Sequence, residues 1–266
     1  MPKTLSQILY FSLFALLLAG VGSTATSQMS ERVLSIGDRD VLIVEPVGAA
    51  TAKMPLLIVL HGGLGNADFI RRTIGVDALA ARSRVRLVFL DGTPIRKSTS
   101  NRRVWNAGAC CGVAASTQVD DVSHIAMVIG RLAPATSRVT LAGHSNGAMM
   151  AARVACERPN LLDRVIAISG PLLMSRCAPS SGLLITHIHG ANDQFVPLLG
   201  GAGGLSLSKT QFPSIATSAK ILRQAGAKVE VVTLQRARHS TNSLNRAMRT
   251  ETGRSLAHFL VVQALQ

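Results

Sequence analysis

The chain has 266 residues, which is enough for a domain with a sizeable hydrophobic core. Its formal net charge is +14, with 28 lysines and arginines against 14 acidic residues. Such a surface favours anionic partners, namely acidic polysaccharide or a membrane surface. Seven Phe, one Tyr and one Trp form no aromatic platform for bases, so nucleic acid is not expected as a partner.

Residues 1–25 have the layout of a secretory signal peptide. One lysine precedes an apolar run over residues 8–18, and small residues lead to a cleavage site after Ala25. The run is shorter than the ~20 residues that a membrane span needs, and no cysteine follows it for a lipid anchor. We therefore expect a secreted or periplasmic protein. Cleavage removes Lys3, which leaves 27 basic against 14 acidic residues, a net charge of +13.

The rest of the chain alternates between short apolar strands and helices. Strands are predicted over residues 32–36, 41–45, 54–63, 84–90, 138–142, 164–169, 183–188 and 228–234. Helices are predicted over residues 67–81, 119–132, 146–158, 215–225 and 243–262. This alternation is typical of a mostly parallel sheet covered by helices on both faces. We expect residues 26–266 to form a single α/β domain.

A serine lies between two glycines where the strand over residues 138–142 meets its helix. The segment reads Gly143-His144-Ser145-Asn146-Gly147, a GxSxG pattern in a strand–turn–helix context. In that context the glycines permit a sharp turn that leaves the serine hydroxyl exposed. Tight packing is the alternative explanation for the glycines. We predict that Ser145 is a nucleophile.

A nucleophilic serine needs a base, and the base needs an orienting carboxylate. Asp193 directly follows the strand over residues 183–188, at the edge where ligands bind in such sheets. His239 lies just beyond the last strand and after the acid, which is the order Ser, Asp, His that this fold uses. The alternatives are that Asp193 only caps a turn and that His239 is a surface histidine in an arginine-rich loop. We predict Asp193 as the acid and His239 as the base.

The other histidines lie in less suitable places. They occur in the early glycine turn, beside the serine, inside helices or on the strand that precedes the acid, at His61, His144, His124, His258, His187 and His189. In the glycine turn, the backbone N–H of Gly63 or Leu64 is predicted to join the N–H of Asn146 as an oxyanion donor. His61 is expected to brace that turn.

Six segments together resemble a known family. They are LHGGLGNA, DGT, WNAGACCGVAAS, VDDVSHI, RVTLAGHSNGAMMAARVAC and HIHGANDQFVP, in this order. The chain resembles the secreted polyhydroxybutyrate depolymerase and feruloyl esterase group of α/β hydrolases over about residues 55–197. The resemblance implies the α/β-hydrolase fold and a serine esterase with Ser145, Asp193 and His239 at the triad positions. Around His239 the sequence departs from the Gly-His-x-Trp-Pro pattern of the family.

Four cysteines allow three pairings, and in an exported chain we expect disulfides. Cys156, in the last turn of the elbow helix, and Cys177 lie on the side opposite the predicted site, so their pairing is favoured. Cys110 and Cys111 lie on the site side; a bond between them is a hypothesis, and pairing with the other two remains open. Trp105, in the same loop, is assigned either to core packing or to a wall for substrate.

The leading functional prediction is a serine esterase that needs no metal or organic cofactor. Polyester oligomers, feruloyl or acetyl esters of plant polysaccharide, and small lipophilic esters are the candidate substrates. A peptidase of the same fold is disfavoured because the chain lacks the length for a propeller or a large lid. The alternative from another class is an inactive hydrolase scaffold that acts as a cationic envelope protein and binds anionic polymer.

Overall fold

The computed structural model describes residues 29–47, 53–96, 101–133, 138–180, 182–206 and 210–266. The predicted signal peptide, residues 1–25, lies outside the described residues. The strands are β1 (Met29–Ile36), β2 (Arg39–Pro46), β3 (Leu56–Leu60), β4 (Arg86–Leu90), β5 (Thr93–Pro94), β6 (Arg103–Val104), β7 (Val139–His144), β8 (Arg164–Ile168), β9 (Leu184–Gly190), β10 (Gly201–Ala202), β11 (Gln211–Phe212) and β12 (Lys228–Leu234). The helices are α1 (Ala67–Ile74), α2 (Asp77–Ser83), α3 (Gly112–Ser116), α4 (Asp121–Leu132), α5 (Asn146–Glu157), α6 (Ile215–Gln224), α7 (Thr241–Thr252) and α8 (Leu256–Leu265).

Within the described residues, eight strands form one sheet in the order β1-β2-β4-β3-β7-β8-β9-β12. The β1–β2 and β2–β4 pairs are antiparallel, and the strands from β4 to β12 pair in parallel. Strands β3 and β4 are buried along their whole length, as expected for a sheet covered on both faces. The predicted α/β class with a mostly parallel sheet is confirmed.

Two hydrophobic clusters fill the two faces of the sheet. One packs the sheet against α4, α5 and Leu222 of α6, and the other packs it against α1, α2, α7 and α8. Six strands, β2, β3, β4, β7, β8 and β9, contribute side chains to both clusters, as Ile58 and Val59 of β3 illustrate. Among the described residues, no helix is both long and apolar enough to cross a bilayer.

Two long predicted helices are each divided in the structure. The helix predicted over residues 67–81 ends at Gly75, which adopts φ 65° and lets α1 stop before α2 begins. The helix predicted over residues 243–262 is divided in the same way at Gly253, with φ 72°, and Ser255 then caps α8. Apolar periodicity continued across both breaks, which is why the sequence analysis joined the helices.

The described cysteines are paired as Cys110–Cys111 and Cys156–Cys177. Cys156 lies in the last turn of α5, and the N–H of Ala178 donates to its carbonyl oxygen at 2.8 Å. The second pair thus joins the far end of α5 to the segment that precedes β9. A cross-link of this span contributes about 3 kcal/mol in the chain-entropy description.

Candidate active site

Ser145 lies on a sharp turn between β7 and α5. Its backbone adopts φ 54° and ψ −121°, a region that side-chain-bearing residues rarely occupy. Its N–H donates to the carbonyl oxygen of Ile168 in β8 at 2.8 Å, which ties the turn to the neighbouring strand. The arrangement matches a nucleophile elbow, in which backbone strain presents the hydroxyl to the cleft.

Close backbone contacts explain the glycines around the elbow. A Cβ at Gly143 would overlap the carbonyl of Gly147, and a Cβ at Gly147 would overlap the carbonyls of Leu60 and His61. Gly170, after β8, approaches the carbonyl oxygen of Ser145 just as closely. The GxSxG pattern contains the first two glycines but not Gly170, whose role is visible only from the packing of the turn against the next strand.

The structure brings Ser145, His239 and Asp193 together, although 94 residues separate the serine from the histidine. His239 Nε2 lies 2.8 Å from Ser145 Oγ, and His239 Nδ1 lies 2.7 Å from Asp193 Oδ2. With the proton on Nδ1, the ring donates to the carboxylate and Nε2 accepts from the hydroxyl. This is the hydrogen-bond chain of a serine nucleophile, its base and an orienting acid.

Asp193 is buried and held by the loop that follows β9. Its Oδ1 accepts hydrogen bonds from the N–H groups of Phe195 and Val196, both at 2.9 Å. Burial raises the pKa of Asp193, but the hydrogen bond and charge of His239 and the N–H of Val196 together bring it below its ordinary value. The carboxylate is therefore ionised at neutral pH and able to orient the histidine.

Two further buried histidines support the acid loop from β9. His189 Nε2 lies 2.8 Å from the carbonyl oxygen of Val196, and His187 Nε2 lies 3.0 Å from His189 Nδ1. Burial lowers the pKa of His187 to about 3 and that of His189 below its ordinary value. Both rings are therefore neutral, and each can donate one N–H along this chain. They brace the turn that carries Asp193 rather than exchange protons with substrate.

His144 holds the histidine loop in place. Its Nε2 lies 2.8 Å from the carbonyl oxygen of His239, and the two ring centroids are 5.0 Å apart. Burial, followed by the charge of His239, lowers the pKa of His144 to about 4. The neutral ring thus donates its Nε2 proton to the backbone of the base. The position of His144 beside the serine excludes it as the base, and no feature of the sequence indicates this positioning role.

Two backbone N–H groups remain as oxyanion donors. The N–H groups of Gly63 and Asn146 donate to no other protein group among the described residues, and a Cβ at Gly63 would lie 3.7 Å from that of Asn146. Leu64, the predicted alternative donor, is excluded because its N–H already donates to the carbonyl oxygen of Arg103 at 2.8 Å. Gly63 with Asn146 is therefore the candidate donor pair.

Trp105 belongs to the core and does not form a wall of the cleft. Its side chain has no exposed surface, and its Nε1 donates to the carbonyl oxygen of His61 at 3.0 Å. The side-chain amide of Asn146 bonds both the N–H and the carbonyl oxygen of Trp105, at 2.7 and 3.0 Å. This paired contact fixes the Cys110–Cys111 loop to the elbow. Of the two roles considered for Trp105, the structure supports core packing, because the buried indole anchors the loop from inside.

The glycine turn after β3 is braced from within by His61. His61 Nδ1 lies 2.7 Å from the carbonyl oxygen of Gly62, and Nε2 accepts from the N–H of Gly92 at 3.0 Å. Burial lowers the pKa of His61 to about 4, so the ring is neutral, and the acceptor role of Nε2 places the proton on Nδ1.

Asp120 also has a structural role, because it caps α4 by accepting a hydrogen bond from the N–H of Ser123 at 3.0 Å.

A cleft of about 480 Å³ opens over Ser145 and His239. Apolar side chains dominate its lining, among them Leu64, Phe69, Val104, Met149, Phe195 and Phe212. Phe195 also stacks on the ring of His239 at 5.1 Å between centroids. Among the described residues that line the cleft, none is Asp, Glu, Lys or Arg. The cleft therefore suits an uncharged, apolar ligand.

The mostly parallel sheet, the strained serine elbow after β7 and the histidine loop after β12 define an α/β hydrolase. The profile of the family described as esterase PHB depolymerase matches residues 40–218. The chain belongs to this family, which is a family of carboxylic ester hydrolases.

Individual proteins resemble this chain in sequence or in fold. NocK of Nocardia uniformis subsp. tsuyamanensis, provisionally named an esterase, is 28% identical over 167 residues; the match covers 60% of this chain but 45% of NocK, less than half of its length. TT1662 from Thermus thermophilus superposes with a TM-score of 0.58 at 17% identity, over 90% of this chain and 99% of that one. The Bacillus cereus carboxylesterase gives 0.52 at 18% identity, over 84% and 92%. At these identities the two superpositions show the fold alone.

Proposed function

We propose that the protein hydrolyses carboxylic esters with Ser145 as nucleophile, His239 as general base and Asp193 as the orienting acid. The observation that carries the proposal is the continuous hydrogen-bond chain from Ser145 Oγ through both nitrogens of His239 to Asp193. This order of hydrogen bonds favours transfer of the Ser145 hydroxyl proton to His239 as the serine oxygen attacks.

The reaction proceeds in two halves. Ser145 Oγ bonds to the ester carbonyl carbon while His239 Nε2 takes the hydroxyl proton, and the N–H groups of Gly63 and Asn146 stabilise the oxyanion. His239 returns that proton to the leaving alcohol as the ester C–O bond breaks. Water then attacks the acyl-enzyme, again losing its proton to His239, and the carboxylic acid is released as Ser145 recovers its proton.

The substrate is proposed to carry an uncharged acyl group. The apolar side chains of the cleft favour aliphatic or aromatic acyl chains, and the absence of charged lining side chains among the described residues gives no counter-ion for an ionised one. Polyester oligomers, feruloyl or acetyl esters and small lipophilic esters all meet this requirement. The signal-like segment over residues 1–25 and the two disulfides support action outside the cytoplasm.

Hydrolysis of p-nitrophenyl esters of increasing chain length tests the proposal. We expect activity for the wild type and a fall in kcat of at least about 10⁴-fold for Ser145→Ala, because the nucleophile is removed. Ser206→Ala is a control, since Ser206 lines the same cleft but is not a member of the Ser145–His239–Asp193 chain. Equal activity in wild type and Ser145→Ala would exclude this serine as nucleophile. Mass analysis of the secreted protein's N-terminus would test cleavage after Ala25.

A further inference from the structure

Five exposed arginines lie on α7 and its flanking residues. We name Arg236, Arg238, Arg246, Arg249 and Arg254 the arginine stripe. Among the described residues, none of these five side chains forms a hydrogen bond or an ion pair. Two less exposed arginines differ: Arg39 pairs with Asp121 and Arg86 pairs with Glu45, at 2.6 and 2.7 Å.

The helix places two of these charges on one face. Leu244, Ala247 and Met248 of α7 are buried against the sheet, so Arg246 and Arg249, one turn apart, share the exposed face. The 12 residues of α7 span about 18 Å. Arg238 precedes the helix, and Arg254 follows it. The stripe therefore has two members on the exposed face of α7 and three in the segments that flank it.

One acidic residue lies in the segment that carries the stripe. It is Glu251, within residues 235–255. Its two oxygens accept hydrogen bonds from the N–H groups of Gln235 and Arg236, at 2.9 and 3.1 Å. The carboxylate of Glu251 is thus bonded to the backbone of the turn before α7, and the five arginine residues of the stripe remain exposed. Clustered like charges of this kind attract a polyanion.

The surroundings of the stripe distinguish among classes of polyanion. Guanidinium groups form paired hydrogen bonds with carboxylates and phosphates alike. A bilayer partner favours apolar side chains beside the basic ones, yet no large hydrophobic side chain is exposed over the described residues 235–258. Nucleic acid favours a row of exposed aromatic side chains for stacking, whereas this segment exposes none and a single exposed phenyl ring, Phe195, packs on His239 next to it. A charged surface with so little exposed apolar area favours a hydrophilic polymer with repeated anionic groups.

We propose that the arginine stripe is a docking surface for an acidic polysaccharide, whose carboxylates bind the guanidinium groups along α7. This binding is separate from ester hydrolysis and requires neither Ser145 nor the cleft. It would hold the protein on an anionic polymer while the active site, which begins at His239 beside Arg238, stays open to solvent.

Binding of the full-length purified protein to polygalacturonate, measured by isothermal titration calorimetry, tests this proposal. The stripe variant carries Arg246→Gln and Arg249→Gln. The matched control carries Arg131→Gln and Arg158→Gln, two exposed arginines at the ends of α4 and α5 on the opposite face of the sheet. Both variants lose two positive charges, and thermal melts establish that each is folded.

We expect Kd to rise about tenfold for the stripe variant and less than about twofold for the control. Affinity should fall with added salt, and neutral dextran should not bind. Ser145→Ala should bind like the wild type, so a protein without esterase activity still tests the surface. Equal weakening of the two variants would overturn the proposal, as would binding to phosphatidylglycerol vesicles without binding to polygalacturonate.

Discussion

The serine elbow and the histidine loop meet at one hydrogen bond but are built in different ways. The elbow around Ser145 is formed by neighbours in sequence: a strand, two glycines and a helix within residues 139–157. The loop of His239 is held by residues far away in sequence, with Asp193 bonding its ring and His144 bonding its backbone. One half of the site is therefore specified mainly by local sequence, with contacts to β3 and β8 added, and the other by tertiary contacts.

This difference explains what the sequence could predict. GxSxG between a strand and a helix identifies Ser145 because every required feature lies within a few residues. His239 lacks the flanking Gly and Trp-Pro of the family, so chain order and position after the last strand were its main support. His144, which contacts the backbone of His239 across 95 residues, leaves no local signal for such a role.

The elbow should be broken most severely by adding a methyl group. Gly143→Ala places a Cβ onto the backbone of Gly147, and we expect a loss of about 3 kcal/mol or more in unfolding free energy together with activity. Gly130→Ala is the control, because its Cβ would enter open space on helix α4. That change should stabilise the protein by up to about 1 kcal/mol. Urea denaturation measures both, and similar values would refute the packing account of the elbow.

Replacing His144, which bonds the backbone of His239 from a distant part of the sequence, should disturb the histidine loop without unfolding the protein. His144→Leu removes the donor to the carbonyl of His239, and we expect kcat to fall about 10- to 100-fold because the base is displaced. KM should change little, and His144→Gln, which retains a side-chain N–H, should recover part of the loss. Steady-state kinetics with thermal melts measure this. A fall in melting temperature with unchanged kcat would make His144 merely structural.

The same principle applies to the rest of the fold. Strand β12 matches the prediction residue for residue, because its apolar run is bounded by turns on both sides. Trp105 could not be assigned from sequence, because an aromatic residue in a glycine-rich loop suits a core anchor or a substrate contact equally. Its place was decided by Asn146 and His61, which are 41 and 44 residues distant. Leu64 was excluded by a contact with Arg103, again a tertiary effect.

A buried histidine on α4, outside both the elbow and the His239 loop, makes the free energy of unfolding depend on pH. Burial first, and then the charge of Arg39, lowers the pKa of His124 to about 4, and both its ring nitrogens lack a partner among the described residues. Between pH 6.5 and about 4 the unfolded chain binds a proton that the folded His124 does not, so stability falls as pH drops through this window. Below about pH 4 this contribution is constant.

His124→Leu isolates that smaller effect. The variant should reduce the slope of unfolding free energy against pH by up to about 1.4 kcal/mol per pH unit between pH 6.5 and 4. His258→Leu is the control, since His258 is exposed on α8. Urea denaturation at several pH values gives the slopes. Identical slopes for wild type and His124→Leu would contradict the buried, uncharged state assigned to this ring.

The most direct test of the account is covalent labelling of Ser145 by a fluorophosphonate, followed by intact-mass spectrometry of the non-reduced protein. We expect one adduct on the wild type, none on Ser145→Ala and labelling at least about 10²-fold slower on His239→Ala, because the base activates the hydroxyl. Wild-type protein that is folded by circular dichroism yet forms no adduct, or His239→Ala that labels at the wild-type rate, would contradict the claim that His239 activates Ser145.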